Sequence, residues 1–188
     1  MDTPDDALVR ANRAGDAEAF GVLVRRHAGP LLGYILHRVR DRELAEDLLQ
    51  ETFRRMHTGL DSFDVTRPFK PWLYAIARNQ VIDSMRRRGL PVMSLDADES
   101  TPSDAIDPAP SPALALADVD RRALLRQAVE SLPPGQRNVL ELAYFHGMSY
   151  PQVAEVLGIS VGTVKTHMSR AVHRLATILP PVEKEALK

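Results

Sequence analysis

Residues 149–166 read Ser149-Tyr150-Pro151-Gln152-Val153-Ala154-Glu155-Val156-Leu157-Gly158-Ile159-Ser160-Val161-Gly162-Thr163-Val164-Lys165-Thr166. Ser149 with Gln152 three residues on is a capping box, and the added Pro151 suits the first turn of a short helix over 151–157. Gly158 supplies the positive φ of a tight turn, and Ser160 caps the helix that follows. The connection Leu157-Gly158-Ile159-Ser160 is short enough to force a steep crossing of the two helices. Small Ala154 permits their close approach, and Val153, Leu157, Ile159 and Val164 supply the core between them. This is helix-turn-helix spacing, in which the second helix enters the major groove of DNA.

A 3.6-residue wheel sorts that second helix into two faces. Val164, Met168, Ala171, Leu175 and Ile178 fall on one side. Thr166, Ser169, Arg170 and His173 lie opposite, flanked by Lys165 on one edge and by Thr163, His167 and Arg174 on the other. From Ser160 to Leu179 there is no Asp or Glu. A merely solvated face mixes charge signs; this one offers only donors and cations, which points to DNA. Arg170 is placed for bidentate contact to guanine, and Lys165 and Arg174 for phosphates.

Upstream the chain stays helical. Ser111-Pro112 reads as an N-cap with proline at the first helical position, leading through Leu124, Leu125, Ala128 and Val129 to Pro133-Pro134. A further helix with Val139, Leu140, Leu142, Ala143 and Phe145 on its apolar positions stops at Gly147. Before these lies a different kind of sequence. Residues 89–120 hold no Lys or Arg but seven acids (Asp96, Asp98, Glu99, Asp104, Asp107, Asp118 and Asp120), and five of the fourteen prolines. Its first part, Leu90 to Pro110, lacks apolar periodicity, so it is expected to be an extended, self-repelling linker rather than core.

The N-terminal block predicts four more helical stretches. Asp16 caps one bearing Phe20, Leu23 and Val24. Pro30 begins or bends a second with Leu31, Leu32, Ile35, Leu36 and Val39. Asp41 caps a third, which places Leu44, Leu48, Leu49, Thr52 and Met56 inward and Glu43, Asp47, Gln50, Glu51 and Arg54 outward. After a turn-rich break over 61–71, a fourth carries Trp72, Leu73, Ile76, Ala77, Ile82 and Met85 and ends in Arg86-Arg87-Arg88-Gly89. No segment alternates as a strand does. The fold class is therefore all-α: two small helical domains, 1–89 and 112–188, joined by an acidic Pro-rich linker at 90–111.

Composition narrows the function. The chain has 188 residues and a net charge of −1, yet residues 1–88 carry +2 and residues 121–188 carry +4. Cysteine is absent, which excludes disulfides, thiol catalysis and cysteine-ligated metal and fits a cytoplasmic protein. The N-terminus lacks the layout of a signal peptide, and no apolar run approaches the length of a membrane span. The six histidines show no metal-ligand spacing, and neither a Gly-rich phosphate loop nor a nucleophile motif is present. No enzyme activity, cofactor, metal or small-molecule substrate is expected.

Two groups of motifs then resemble one family. Ala45-Glu46-Asp47-Leu48-Leu49-Gln50-Glu51-Thr52-Phe53, Pro71-Trp72-Leu73-Tyr74-Ala75-Ile76-Ala77-Arg78-Asn79, Asp83 and Arg86-Arg87-Arg88 are similar to region 2 of extracytoplasmic function (ECF) sigma factors. Leu132-Pro133-Pro134-Gly135-Gln136-Arg137, Met148-Ser149-Tyr150, Val153-Ala154 and Gly162-Thr163-Val164-Lys165-Thr166 resemble region 4. The resemblance implies a dissociable subunit of bacterial RNA polymerase that confers promoter recognition, with an anti-sigma factor as a further partner. It assigns Asp47, Gln50 and Glu51 to the core polymerase. It assigns Lys70, Trp72, Tyr74, Arg78, Asn79, Asp83, Arg86 and Arg87 to the melted −10 strand, where Phe63 and Phe69 are added stacking faces. Thr163, Lys165, Thr166, His167, Ser169, Arg170, His173 and Arg174 go to the −35 duplex. The acidic linker is similar to the segment that threads toward the polymerase active-site and RNA-exit channels.

Two departures stand out: His167 occupies a position where the family commonly has Arg, and Met56-His57 replaces a common aromatic. The rival reading, a helix-turn-helix regulator that binds DNA without joining the polymerase, predicts a coiled-coil or sensor segment that the sequence does not show.

Overall fold

A computed structural model of the chain describes residues 3–89 and 118–179, and the regular structure in both segments is helical. The chain falls into two compact units, residues 1–93 with 151–158 and residues 94–150 with 159–188. The all-α expectation is met. The acidic linker at 90–111 and the Ser111-Pro112 cap lie outside the described residues.

The first unit contains α1 (Asp5–Arg13), α2 (Ala17–Val39), α3 (Arg42–Gly59), a 3-10 turn (Leu60–Ser62) and α4 (Phe69–Arg87). The caps fall where local chemistry puts them. Asp16 accepts from the backbone N–H of Glu18 at 3.0 Å and of Ala19 at 3.4 Å, and Asp41 from that of Leu44 at 3.1 Å. Pro30 neither begins nor interrupts a helix: it sits exposed inside the single helix α2. An internal proline costs a free helix about 3 kcal/mol. Here Leu23, Leu31 and Ile35, each fully buried on the same helix, outweigh it at roughly 1.5–3 kcal/mol apiece.

Helix α1 has no counterpart in the sequence reading. Its signals are weak ones, Pro4 at the cap, Asp5 and Asp6 in the first turn and Arg10 and Arg13 in the last. It packs on α2, which in turn packs on α3 and α4. The core between them holds Leu23, Leu31, Tyr34, Ile35, Met56, Leu73, Tyr74 and Ala77 at 1% exposure or less. Buried Thr52 is satisfied by donating to the Leu48 carbonyl oxygen at 2.7 Å.

The second unit contains α5 (Asp118–Glu130), α6 (Pro134–Leu140), a π-helical turn (Glu141–Phe145) and α8 (Val161–Ile178). Its core joins Leu132, Leu140 and Ala171, with Val129, Met168 and Leu175 against them, so α8 rests on α5 and α6. Phe145, expected on the apolar side of its helix, is 57% exposed beside Tyr144 at 76%. The π turn explains the shift. His146 donates to the Glu141 carbonyl oxygen at 3.2 Å, five residues back, and one extra residue in the turn rotates the following side chains by about 100°.

Candidate nucleic-acid interface

The backbone from 150 to 178 follows the sequence closely. Helix α7 (Tyr150–Leu157) ends at Gly158, whose φ of +67° is the left-handed turn the glycine was expected to make. Ser160 then accepts from the Thr163 N–H at 3.0 Å and starts α8. Val153, Ala154, Leu157 and Val164 are buried, and Ile159 is half-buried. Along α8 the two faces separate as the wheel demands. Val164 and Ala171 have no exposure and Met168 and Leu175 are half-buried, while Lys165, Thr166, Ser169, Arg170 and His173 are exposed. Thr163 and Arg174 are half-buried at the margins. Ile178, assigned to the inner side, is 47% exposed at the last position of the helix.

His167 differs from its neighbours. Its ring lies against Gly135 of α6 so closely that a Cβ at Gly135 would stand 2.9 Å from Cε1. Its Nδ1 is buried without a hydrogen-bond partner. The imidazole therefore fills the seam between α6 and α8, and its placement does not give it a phosphate-facing ring.

On α4 the residues assigned to the −10 strand divide between two sides of the helix. Trp72, Asn79, Asp83 and Arg86 share one stripe by their spacing of seven, eleven and fourteen residues. Of these Asn79 and Arg86 are exposed, as is Arg87, and Trp72 and Asp83 are half-buried. Lys70, Tyr74 and Arg78 share another stripe by their spacing of four. Tyr74 has no exposure and meets Tyr34 edge-on at 5.0 Å, so its ring face is core and is withdrawn from the stacking set. Phe63 and Phe69 are withdrawn for the same reason, at 6% and 3% exposure. They enclose Trp72, with ring centroids 4.6 Å and 5.7 Å from the indole. Trp72 itself is left half-buried. Lys70 is half-buried, and burial pushes its ammonium below the ordinary lysine value against the pull of Asp5.

The outer face of α3 keeps Asp47 and Gln50 exposed. Glu51 is committed to its own helix. Its carboxylate accepts from Arg54 Nε at 2.6 Å and Nη2 at 2.7 Å and from Arg55 Nε at 2.9 Å, and these bonds pull it down to about 2. Arg55 also faces buried Gln80 of α4, whose amide oxygen, turned toward the guanidinium, accepts at 2.6 Å from Nε. The sequence reading missed Arg55 and Gln80: the spacing of three and four from Glu51 to its arginines is a visible signal, but the link to α4 is not.

Among the described residues, no helix is long and apolar enough to cross a membrane, and no three His, Asp or Glu side chains gather as metal ligands would.

Comparison with known proteins matches two segments of the chain. Residues 23–90 match the model of Sigma-70 region 2, and residues 122–175 that of Sigma-70 region 4. The RNA polymerase sigma-H factor of Pseudomonas aeruginosa is 32% identical over 97% of this chain and 97% of its own length. The ECF RNA polymerase sigma factor SigW of Bacillus subtilis is 31% identical over 86% of this chain and 89% of its own. Among solved structures, the sigma factor RpoE of Bartonella quintana, crystallised with the anti-sigma factor NepR, superposes with a TM-score of 0.61 at 28% identity, covering 86% of this chain and 97% of that one. With region 2 and region 4 both present and in that order, the chain belongs to the ECF RNA polymerase sigma factors of the sigma-70 family.

Proposed function

We propose that this chain is a dissociable subunit that acts in the cytoplasm by binding core RNA polymerase and directing it to promoters, with no catalytic chemistry of its own. The exposed face of α8, bearing Thr166, Ser169, Arg170 and His173 in a stretch with no Asp or Glu from Ser160 to Leu179, carries the reading. That face presents donors and cations to the −35 duplex while the opposite side is fixed on α5 and α6. Lys165 and Arg174 sit at its margins for the phosphates.

The first unit supplies the other two contacts. Asp47 and Gln50 face the polymerase from α3, and Glu51 acts there as the acceptor that orders Arg54 and Arg55. On α4, Asn79, Arg86, Arg87 and half-buried Trp72 take the melted −10 strand, by phosphate contact and stacking. Lys70, Arg78 and Asp83 border that surface. An anti-sigma factor is the further partner this reading adds, in line with the complex in which the Bartonella protein was crystallised.

Run-off transcription with core polymerase, with and without the chain, tests the proposal. Promoter-specific transcripts only in its presence support it. Sequence-specific binding of duplex by the chain alone, with no effect on the polymerase, would replace it with the regulator reading.

A further inference from the structure

The break between α3 and α4 is held from outside by a residue of α1. Arg13 donates from Nε and Nη2 to the Leu60 carbonyl oxygen at 2.8 and 2.6 Å, and from Nη2 to the Phe63 carbonyl oxygen. Those two carbonyls bracket the 3-10 turn Leu60–Ser62, so one guanidinium spans both its ends. A planar fork of donors does this in one plane; a lysine ammonium is a single point and cannot serve both oxygens with the same geometry. Because both acceptors are backbone atoms, Arg13 fixes the path of the chain itself. Its positive charge is also favourable beside carbonyls that close a helix.

That path places Phe63, and Phe63 forms one wall of the seat of Trp72. Leu60 and Phe63 are buried at 1% and 6% exposure, and the Phe63 ring stands 4.6 Å from the indole of Trp72. Beyond Phe63 the chain folds back through Asp64, whose side chain accepts from the Thr66 N–H at 2.9 Å and from its hydroxyl at 2.7 Å. The Asp64 carboxyl is held below the ordinary aspartate value, first by those Thr66 bonds and also by the nearby charges of Arg67 and Arg13. The turn is thus pinned at its start by Arg13 and continued by Asp64 into α4.

We propose that Arg13 is a positioning residue for capture of the melted −10 strand. It sets the 60–63 turn and, through Phe63, the seat of half-buried Trp72, without itself touching DNA. This rests on the reading above that α4 takes that strand. Arg13 reaches the C-terminal end of α3, whereas Asp47 and Gln50 lie nearer its N-terminal end, so the two functions of the first unit are separable.

The test uses Arg13→Gln and Arg13→Lys in the full chain. Trp72 is the single tryptophan of the protein, so its emission in the free chain reports its seat directly. In holoenzyme reconstituted with core polymerase, two affinities are measured: chain for core, and holoenzyme for a single-stranded −10 oligonucleotide. Arg13→Gln is expected to shift Trp72 emission and weaken oligonucleotide binding by roughly tenfold, the scale of one lost stacking platform, with core affinity unchanged. Arg13→Lys should fall between Arg13→Gln and wild type. Unchanged emission and oligonucleotide affinity would overturn the proposal. So would a parallel fall in core affinity and thermal stability, which would mark Arg13 as merely structural. If wild-type holoenzyme does not retain the oligonucleotide, the −10 reading of α4 fails, and Arg13 with it as a DNA-positioning residue.

Discussion

Gly59 of α3 lies directly against the indole of Trp72: a Cβ built on Gly59 would stand 2.9 Å from the ring's Cζ2. Phe63 and Phe69 also pack on the ring, with centroids 4.6 and 5.7 Å away, which limits its room to retreat. The glycine is there for the close approach of an aromatic, not for backbone freedom.

Gly59→Ala should therefore destabilise the protein by about 1–3 kcal/mol, the usual cost of overpacking, even though alanine is the better helix former. Chemical denaturation measures the loss. Trp72 emission should move in the same variant. A stabilised Gly59→Ala protein would show that the indole has room to yield.

A second close approach, between Gly135 and His167, predicts compensation. Gly135→Ala sets a methyl 2.9 Å from the imidazole and should cost about 1–3 kcal/mol. Adding His167→Ala removes the obstacle, so the double variant should recover part of that loss. A double-mutant cycle in denaturant gives the coupling, and strict additivity would mean the ring simply swings away.

Asp47→Arg should weaken holoenzyme assembly by roughly tenfold through reversal of charge on the proposed docking face, while leaving the melting temperature close to wild type. Asp47 is exposed and makes no ion pair among the described contacts, so its helix tolerates the change. Asp47→Arg with Glu51→Arg should weaken assembly further. The second substitution also strips Arg54 and Arg55 of their acceptor, which makes the single variant the cleaner measure. Normal assembly by Asp47→Arg would remove this face from the docking surface.

Promoter choice and promoter opening should respond to different arginines. With Arg170 reading a base as proposed, Arg170→Ala is expected to lose about 1–3 kcal/mol at a single −35 base pair, and so to change which −35 sequences are used. Arg86→Ala with Arg87→Ala should lower open-complex yield across all promoters and flatten the salt dependence. A promoter library transcribed with each variant checks both. A uniform fall with Arg170→Ala would make that residue a phosphate anchor.

Acid should erase one tie between α1 and α2. Burial alone would raise the carboxyl of Asp5, but hydrogen bonds from His27, 2.9 Å away, and from Arg26 outweigh it and hold the group below the ordinary 3.8. With the native value depressed, the unfolded chain takes up the proton first as pH falls. The stabilisation is therefore complete above 3.8 and lost as pH drops through the lower native value. Thermal melts of wild type and Asp5→Asn should differ at neutral pH and converge below about pH 4. A gap that stays constant through that range would remove Asp5 ionisation from the tie.

The amino-acid sequence by itself determined what depends on neighbours three or four residues away. Asp16, Asp41 and Ser160 cap the helices they were expected to cap, Gly158 makes its left-handed turn, and the acid-free face of α8 is the exposed one. Caps and faces of this kind are set by helical spacing alone, and family motifs ride on them. What only the tertiary structure decided lies where several sides of a helix are apolar at once. Phe69, Trp72, Leu73, Tyr74, Ile76 and Ile82 spread over much of the circumference of α4, so no wheel could say which aromatic stays accessible. Packing within the first unit buried Tyr74, Phe63 and Phe69 and left Trp72 half-buried. The same holds for the Arg13 clamp and for His167 against Gly135, pairs that stand 32 to 50 residues apart and carry no local signal. Pro30 is the converse case: a strong local breaker overruled because Leu23, Leu31 and Ile35 are buried on both sides of it. Local rules act through a hydrogen bond or two, whereas burial acts through many contacts supplied by other parts of the chain, and where the two conflict in this protein burial prevails.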